Sequence, residues 1–181
     1  MRRVDEPSIA WTWGSTAAER AAAFPCDRFL PEPDAALFRA VDVDAPPPAV
    51  FRWLCQLRVA PYSYDWIDNF GRQSPQQLTP GLEDLAIGQS VMGIATLADF
   101  ERDRHVTATA RPGLRLIFGE IAVSYVVMPR AAGRSRLVVK VLVRYPAGPI
   151  GWTCRMLLPW ADLVMMRRQL LNLKRLAERS A

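Results

Sequence analysis

The sequence predicts an α+β domain in which an antiparallel sheet curves around one long C-terminal helix. Three observations predict it. Over residues 159–179, Leu163, Met166, Leu170, Leu173 and Ala177 recur three and four apart, with Arg168, Asn172, Arg175 and Arg179 opposite. Over residues 89–145, short segments alternate apolar and polar side chains and are separated by turn-forming Arg111-Pro112-Gly113 and Ala131-Ala132-Gly133-Arg134. The β-rich stretch ends just before the helix, so a sheet is at hand to cover the broad apolar face.

Each element has its own local reason. Residues 1–34 read as an N-terminal arm packed on one domain of residues 35–181. Thr16-Ala17-Ala18-Glu19 has the form of a capping box opening a short helix that Phe24-Pro25-Cys26-Asp27 stops. Trp11, Trp13, Phe24 and Phe29 are the arm's candidate anchors. Residues 35–44 read as a strand. Asp44-Ala45-Pro46-Pro47-Pro48 ends it and opens a helix to about residue 57, with Val50, Leu54 and Leu57 on one face. Residues 60–69 hold three aromatics in a loop or short helix, and residues 74–85 form a loop broken by Pro75, Pro80 and Gly81.

Strands are expected over 89–95, 105–110, 114–118, 120–128 and 136–145. Alternation assigns their faces. Ile121, Val123, Tyr125 and Val127 share a side with Leu137, Val139, Val141, Val143 and Tyr145. Leu114, Leu116 and Phe118 are expected there too. His105, Thr107, Thr109, Glu120, Ser124, Arg136, Lys140 and Arg144 fall on the other, solvated face. Trp160, Val164 and Leu171 widen the apolar flank of the last helix. Pro159 suits a first helical turn, with Asp162 as an acid in that turn. Residues 150–158 should then be a separate lead-in, or the helix should kink there.

Composition narrows the function classes. The 181 residues are 50% hydrophobic and 23% charged, ordinary for a globular domain with a real core. The net charge is +5, but the basic residues, arginines apart from Lys140 and Lys174, are interleaved with acids. No nucleic-acid surface is expected. Cys26, Cys55 and Cys154 are odd in number and far apart, which fits free thiols in a reducing, cytoplasmic setting. No signal peptide follows Met1-Arg2-Arg3-Val4-Asp5-Glu6. Arg155, Pro159 and Asp162 interrupt the most apolar run, so no stable membrane insertion is expected. His105 has no cysteine nearby to share a zinc ion, and no dinucleotide or phosphate-binding loop is present. No cofactor or metal is expected.

Particular residues carry a family resemblance. Val41-Asp42-Val43-Asp44-Ala45-Pro46-Pro47 followed by Val50-Phe51-Arg52-Trp53-Leu54-Cys55-Gln56 resembles the opening of bacterial proteins in the START and birch-pollen-allergen superfamily. This superfamily is also called SRPBCC or polyketide cyclase/dehydrase-like. Tyr62-Ser63-Tyr64-Asp65-Trp66, Leu85-Ala86-Ile87-Gly88-Gln89 and Met165-Met166-Arg167-Arg168-Gln169-Leu170-Leu171 before Leu176-Ala177-Glu178 resemble its later segments. Trp13-Gly14 and Pro25-Cys26-Asp27 resemble the arm of an actinobacterial-type subgroup. The chain departs from the pattern in the short, glycine-free link from Gln56 to Tyr62 and in Cys26, where glycine is usual. The resemblance implies the helix-grip fold, with a hydrophobic cavity between sheet and helix for lipids, sterols or polyketides. It implies no single chemistry.

Such a cavity should be lined by Leu116, Phe118, Val123, Tyr125, Val141 and Val143 from the sheet and by Leu163, Met166 and Leu170 from the helix. Tyr62, Tyr64 and Trp66 should form its lid, and the Tyr125 and Tyr145 hydroxyls should orient a ligand. Met156, Met165 and Met166 would adapt to variable ligands. The inward strand positions offer hydroxyls but no carboxylate, so acid–base chemistry could call only on Asp65 and Arg39. Asp65 equally suits a helix cap. Three function classes follow: binding of a hydrophobic small molecule, a polyketide cyclase/dehydratase-like enzyme using pocket hydroxyls and Asp65, and a regulator that binds a protein partner.

Overall fold

Antiparallel pairing of neighbouring apolar strands builds the body. The computed structural model describes residues 8–68 and 71–181. Residues 1–7 of the expected arm, and Asn69 at the end of the aromatic segment, lie outside the described residues. In chain order the elements are α1 (Ile9–Thr12), α2 (Ala17–Ala21), β1 (Ala35–Val43), α3 (Pro47–Cys55), α4 (Asp65–Asp68), β2 (Ser90–Val91), β3 (Ala95–Glu101), β4 (His105–Ala110), α5 (Arg115–Phe118), β5 (Glu120–Arg130), β6 (Arg134–Arg144) and α6 (Gly148–Arg179). The six strands form one sheet in the order β1-β6-β5-β4-β3-β2, antiparallel throughout. With α6 packed on it, this is the helix-grip architecture.

The inner face follows the alternation. Val123, Tyr125, Val127, Leu137, Val139, Val141, Val143 and Tyr145 join one buried cluster with α3 and with Met166, Leu170, Leu173, Leu176 and Ala177 of α6. α3 begins on prolines, as a first helical turn allows, and buries Val50, Phe51, Trp53, Leu54 and Cys55.

The outer face corrects the expectation of a solvated surface. Thr107 and Ser124 are fully buried, and Arg136 is nearly so. The arm covers them. Phe24, Cys26 and Leu30 pack with Phe38, Ala40, Ala122, Val138 and Leu142 in a second core. The Cys26 amide donates to Ser124 Oγ at 2.8 Å, and Ser124 Oγ meets Thr107 Oγ1 at 2.7 Å. Thr16 and Glu19 close the expected capping box. Glu19 then grips Arg136 through two contacts, Oε1 to Nε at 2.8 Å and Oε2 to an Nη at 3.1 Å. Gly14 runs so close to the free edge of β1 that a Cβ there would lie 2.1 Å from the Ala40 carbonyl oxygen, and its φ is +74°. Of the four aromatic anchors, Phe24 is buried and Trp11 and Trp13 are partly so, whereas Phe29 is exposed.

Three elements differ from expectation. Residues 114–118 are not a strand: a 3-10 turn, Pro112–Leu114, runs into α5, and Gly119 at φ +81° leads into β5. β4 already pairs directly with β5, so this segment is their connection and has no strand to pair with. The expected strand 89–95 is only Ser90–Val91, and β3 follows it. A register shift between Leu97 and Asp99 breaks the alternation of β3, which hides it in the sequence. Finally, α6 runs through Pro159 instead of starting there. Proline removes one helical hydrogen bond, but Pro159 is buried and its carbonyl accepts from Arg39 at 3.3 Å. Tertiary contacts thus hold the helix across the break.

Candidate functional site

The interior between sheet and α6 is largely apolar, and a group of polar residues centred on Arg39 lies within it. Arg39 points inward from β1 and is fully buried. It donates to the carbonyls of Phe38 and Ala10, each at 2.8 Å, and to that of Pro159, so it ties β1, the arm and α6 together. Its charge is met by Asp162 of α6, whose Oδ2 lies 2.8 Å from an Arg39 Nη. The Asp162 side chain keeps 16% exposure. Burial pushes its carboxyl up to about 6, against the opposing pull of Arg39. Burial likewise pulls the Arg39 guanidinium below its ordinary value, with Asp162 working the other way.

Beside this pair, the buried Tyr125 hydroxyl donates to Gln169 Oε1 at 2.7 Å and lies 3.7 Å from Met166 Sδ. Gln169 Nε2 donates in turn to the Pro61 carbonyl at 2.6 Å. The Tyr62 and Tyr145 hydroxyls are buried with no hydrogen-bond partner among the described residues. Such a hydroxyl costs roughly 1–3 kcal/mol. Burial raises both phenols, Tyr62 to about 12.

A second feature is a concavity of about 470 Å³ on the outside of α6. Tyr62, Ser63, Tyr64, Asp65, Trp66, Gln73, Ser74, Gln76, Arg168, Asn172 and Arg175 line it. Its floor is tied down. Asn172 donates to the Tyr62 carbonyl at 2.8 Å, Ser63 to the Met165 carbonyl at 3.0 Å, and the Tyr62 backbone sits at φ +56°. A side chain held in that left-handed region is strained unless its surroundings fix it. The edge-on Trp53 ring, 6.0 Å away, helps to do so. Asp65 accepts from the Ser74 amide at 2.9 Å and from its hydroxyl, closing the loop between them. It is the first residue of α4, so it acts here as a loop latch.

The residues expected to line a cavity separate into three groups. Val123, Tyr125, Val141, Val143, Tyr145, Leu163, Met166 and Leu170 lie buried between sheet and helix. Tyr62, Tyr64 and Trp66 do come together, but around the outer concavity. Tyr62 is tucked inside, Tyr64 lies under Arg168, and Trp66 is 76% exposed. Leu116 and Phe118 are corrected: they sit on α5, with Leu116 82% exposed, because the segment turns away from the sheet. His105 lies at the edge of the outer face, its Nε2 3.0 Å from Asp99 Oδ2, and Asp99 also meets Arg28 of the arm. This is an arm-to-sheet clamp.

Asp162 and Gln169 are inward groups that sequence reasoning misses. A helix started at Pro159 makes Asp162 only a first-turn acid. With α6 beginning at Gly148, Asp162 is mid-helix, one turn from Leu158 and Met166, on the face that meets the sheet.

No protein-family model matches the sequence, and no curated protein matches it. Solved structures do resemble the fold. A Thermobifida fusca protein is 16% identical, with a TM-score of 0.54 over 80% of this chain and 93% of its own. A Thermus thermophilus protein is 14% identical, with a TM-score of 0.52 over 81% and 99%. The Zhui aromatase/cyclase of a Streptomyces species is 18% identical, with a TM-score of 0.51 over 80% and 93%. At these identities the likeness is one of fold: the helix-grip arrangement spans most of this chain.

Proposed function

We propose that this chain is a member of the START and birch-pollen-allergen superfamily that binds a hydrophobic small molecule, lipid, sterol or polyketide-like, between the sheet and α6. The observation that carries this reading is the buried polar group inside apolar walls. Tyr145 keeps a buried hydroxyl, unpartnered among the described residues, in an interior whose other polar groups include Tyr125 with Gln169 and Arg39 with Asp162. A ligand with an apolar body and one polar end matches that chemistry, since specific pockets combine apolar walls with a few orienting groups. The free thiols are consistent with a cytoplasmic setting. The arm, covering the outer face, serves to hold the sheet from behind.

The test is a titration with a fluorescent fatty-acid or polyketide-like probe against the wild type and Val123→Trp. Saturable binding by the wild type, lost in a variant that keeps its cooperative unfolding, is the expected result. Equal binding by both would refute a site at Val123. Native mass spectrometry of protein from its own host would identify the ligand by mass.

One observation favours a second reading, acid–base catalysis on such a ligand. Asp162 is an inward carboxyl with some solvent access, and its pKa of about 6 suits a general acid or base near neutral pH. Zhui is an aromatase/cyclase of the same fold, but at 18% identity that adds only fold precedent. Asp65, held by Ser74, is a weaker candidate. Turnover of a poly-β-keto substrate that Asp162→Asn abolishes while probe binding persists would establish catalysis. Binding without turnover would leave the carrier.

A further inference from the structure

The first half of α6 is apolar on the side turned away from the sheet as well as towards it. Trp152 is 67% exposed and Leu157 62%, and Ile150, Met156, Trp160 and Val164 are each more than half exposed. α5 lies against this part of the helix, with Cys154 Sγ 3.3 Å from the Ile117 carbonyl, and adds exposed Leu116, Ile117 and Phe118. Together these side chains present on the order of 1,000 Å² of apolar surface, more than a typical monomer leaves bare in one patch. A helix apolar all round needs cover on both faces.

The charges around the patch indicate what covers it. Arg155, Arg167 and Arg168 stand on the exposed side of α6. Asp162 is the only carboxylate in the helix before Glu178, and it turns inward to Arg39. Arg115 on α5 adds another cation. The ion contacts of Arg155 with Asp34, 3.5 Å, and of Arg115 with Glu120, 3.3 Å, are solvent-exposed and therefore weak competitors for a new anion. Exposed tryptophans set among arginines match the interface of an anionic bilayer, where indoles sit at headgroup depth and each guanidinium gains from the surface potential. A second copy of the chain would set like charge against like charge along the same helix.

We propose that this face, α5 with residues 150–164 of α6, docks peripherally on anionic lipid bilayers. No helix of the described residues is long and apolar enough to cross a membrane, so the contact is a surface one. The docking stands apart from the ligand reading, because it uses outward side chains only.

The test is flotation of the full chain with large unilamellar vesicles of phosphatidylcholine, alone or mixed with phosphatidylglycerol. The chain should float with the mixed vesicles, far less with phosphatidylcholine alone, and less again as salt is added. Arg155→Gln with Arg167→Gln should lower the partition about fivefold for each charge removed. Trp152→Ser with Leu157→Ser should abolish it without shifting thermal unfolding, since both side chains are exposed. Flotation that ignores phosphatidylglycerol, or that survives the Trp152→Ser, Leu157→Ser change, would overturn the proposal. So would light scattering showing a dimer that this variant dissociates, with neither vesicle bound, for then a second copy covers the face.

Discussion

Arg39 and Asp162 show how one residue's environment becomes a property of the fold. A buried guanidinium needs a counter-ion, and the counter-ion is itself partly withdrawn from water, so its carboxyl holds a proton up to about pH 6. The unfolded carboxyl titrates near 3.8 and the folded one near 6. Between those values the folded state binds a proton that the unfolded state lacks. Asp162 therefore makes stability fall as pH rises from about 4 to about 6, by roughly 3 kcal/mol at most. Asp162→Asn resembles the protonated side chain, so it should lose that fall. Its stability relative to the wild type should rise by up to about 3 kcal/mol from pH 4 to pH 7, with Arg39 still held by the carbonyls of Phe38, Ala10 and Pro159. Denaturant midpoints of both proteins at pH 4, 5, 6 and 7 check this, and an unchanged difference across the series would show that Asp162 does not titrate there.

At the scale of an element, α6 has two faces with different energetic weight. Leu170 is fully buried against the sheet, whereas Arg168 and Val164 face out. Leu170→Ala should cost roughly 2–5 kcal/mol through lost transfer energy and the cavity left behind. Arg168→Ala and Val164→Ser should each stay within about 0.5 kcal/mol. Equal effects in chemical denaturation would mean that the helix is seated in another phase. The stripe of Leu163, Met166, Leu170, Leu173 and Ala177 is readable because a 3.6-residue period is a property of the local chain. Trp160, Val164 and Leu171 are not readable as outward: they are as apolar as the core stripe, and only the position of the sheet distinguishes the two sides. α5 escapes a local reading for a related reason. Five residues, Leu114 to Phe118, are too few for periodicity to separate strand from helix.

At the scale of the whole molecule, the sheet is a middle layer between α6 and the arm. Removing residues 1–34 would uncover Phe38, Ala122, Val138 and Leu142 and leave Arg136 without Glu19. At about 1.5–3 kcal/mol for each large apolar side chain withdrawn, loss of Phe24 and Leu30 alone should lower stability by roughly 3–6 kcal/mol. The truncated chain should bind an apolar dye such as ANS and melt earlier. A truncation that melts with the wild type and binds no dye would show that the arm is dispensable. The strands that the arm covers look solvated in the sequence, because Thr107, Ser124, Arg136 and Lys140 are polar. They are instead satisfied under cover, by one another, by Cys26, by Glu19 and, for Lys140, by Asp27 at 2.6 Å.

Periodicity and turn chemistry were sufficient for the fold class, the inner sheet face and the buried stripe of α6. Each of these rests on spacing between near neighbours, which a single chain displays without reference to anything distant. The candidate site was legible only in part, for the opposite reason. Tyr125 and Tyr145 could be assigned inward from alternation, but their partners could not. Gln169 reaches Tyr125 across 44 positions, and Asp162 reaches Arg39 from a distant part of the chain. Whether a carboxylate faces water or a buried arginine depends on which surfaces meet when sheet, helix and arm close together. That same closure left Trp152 and Leu157 outside the core, although their apolar character alone would have placed them within it.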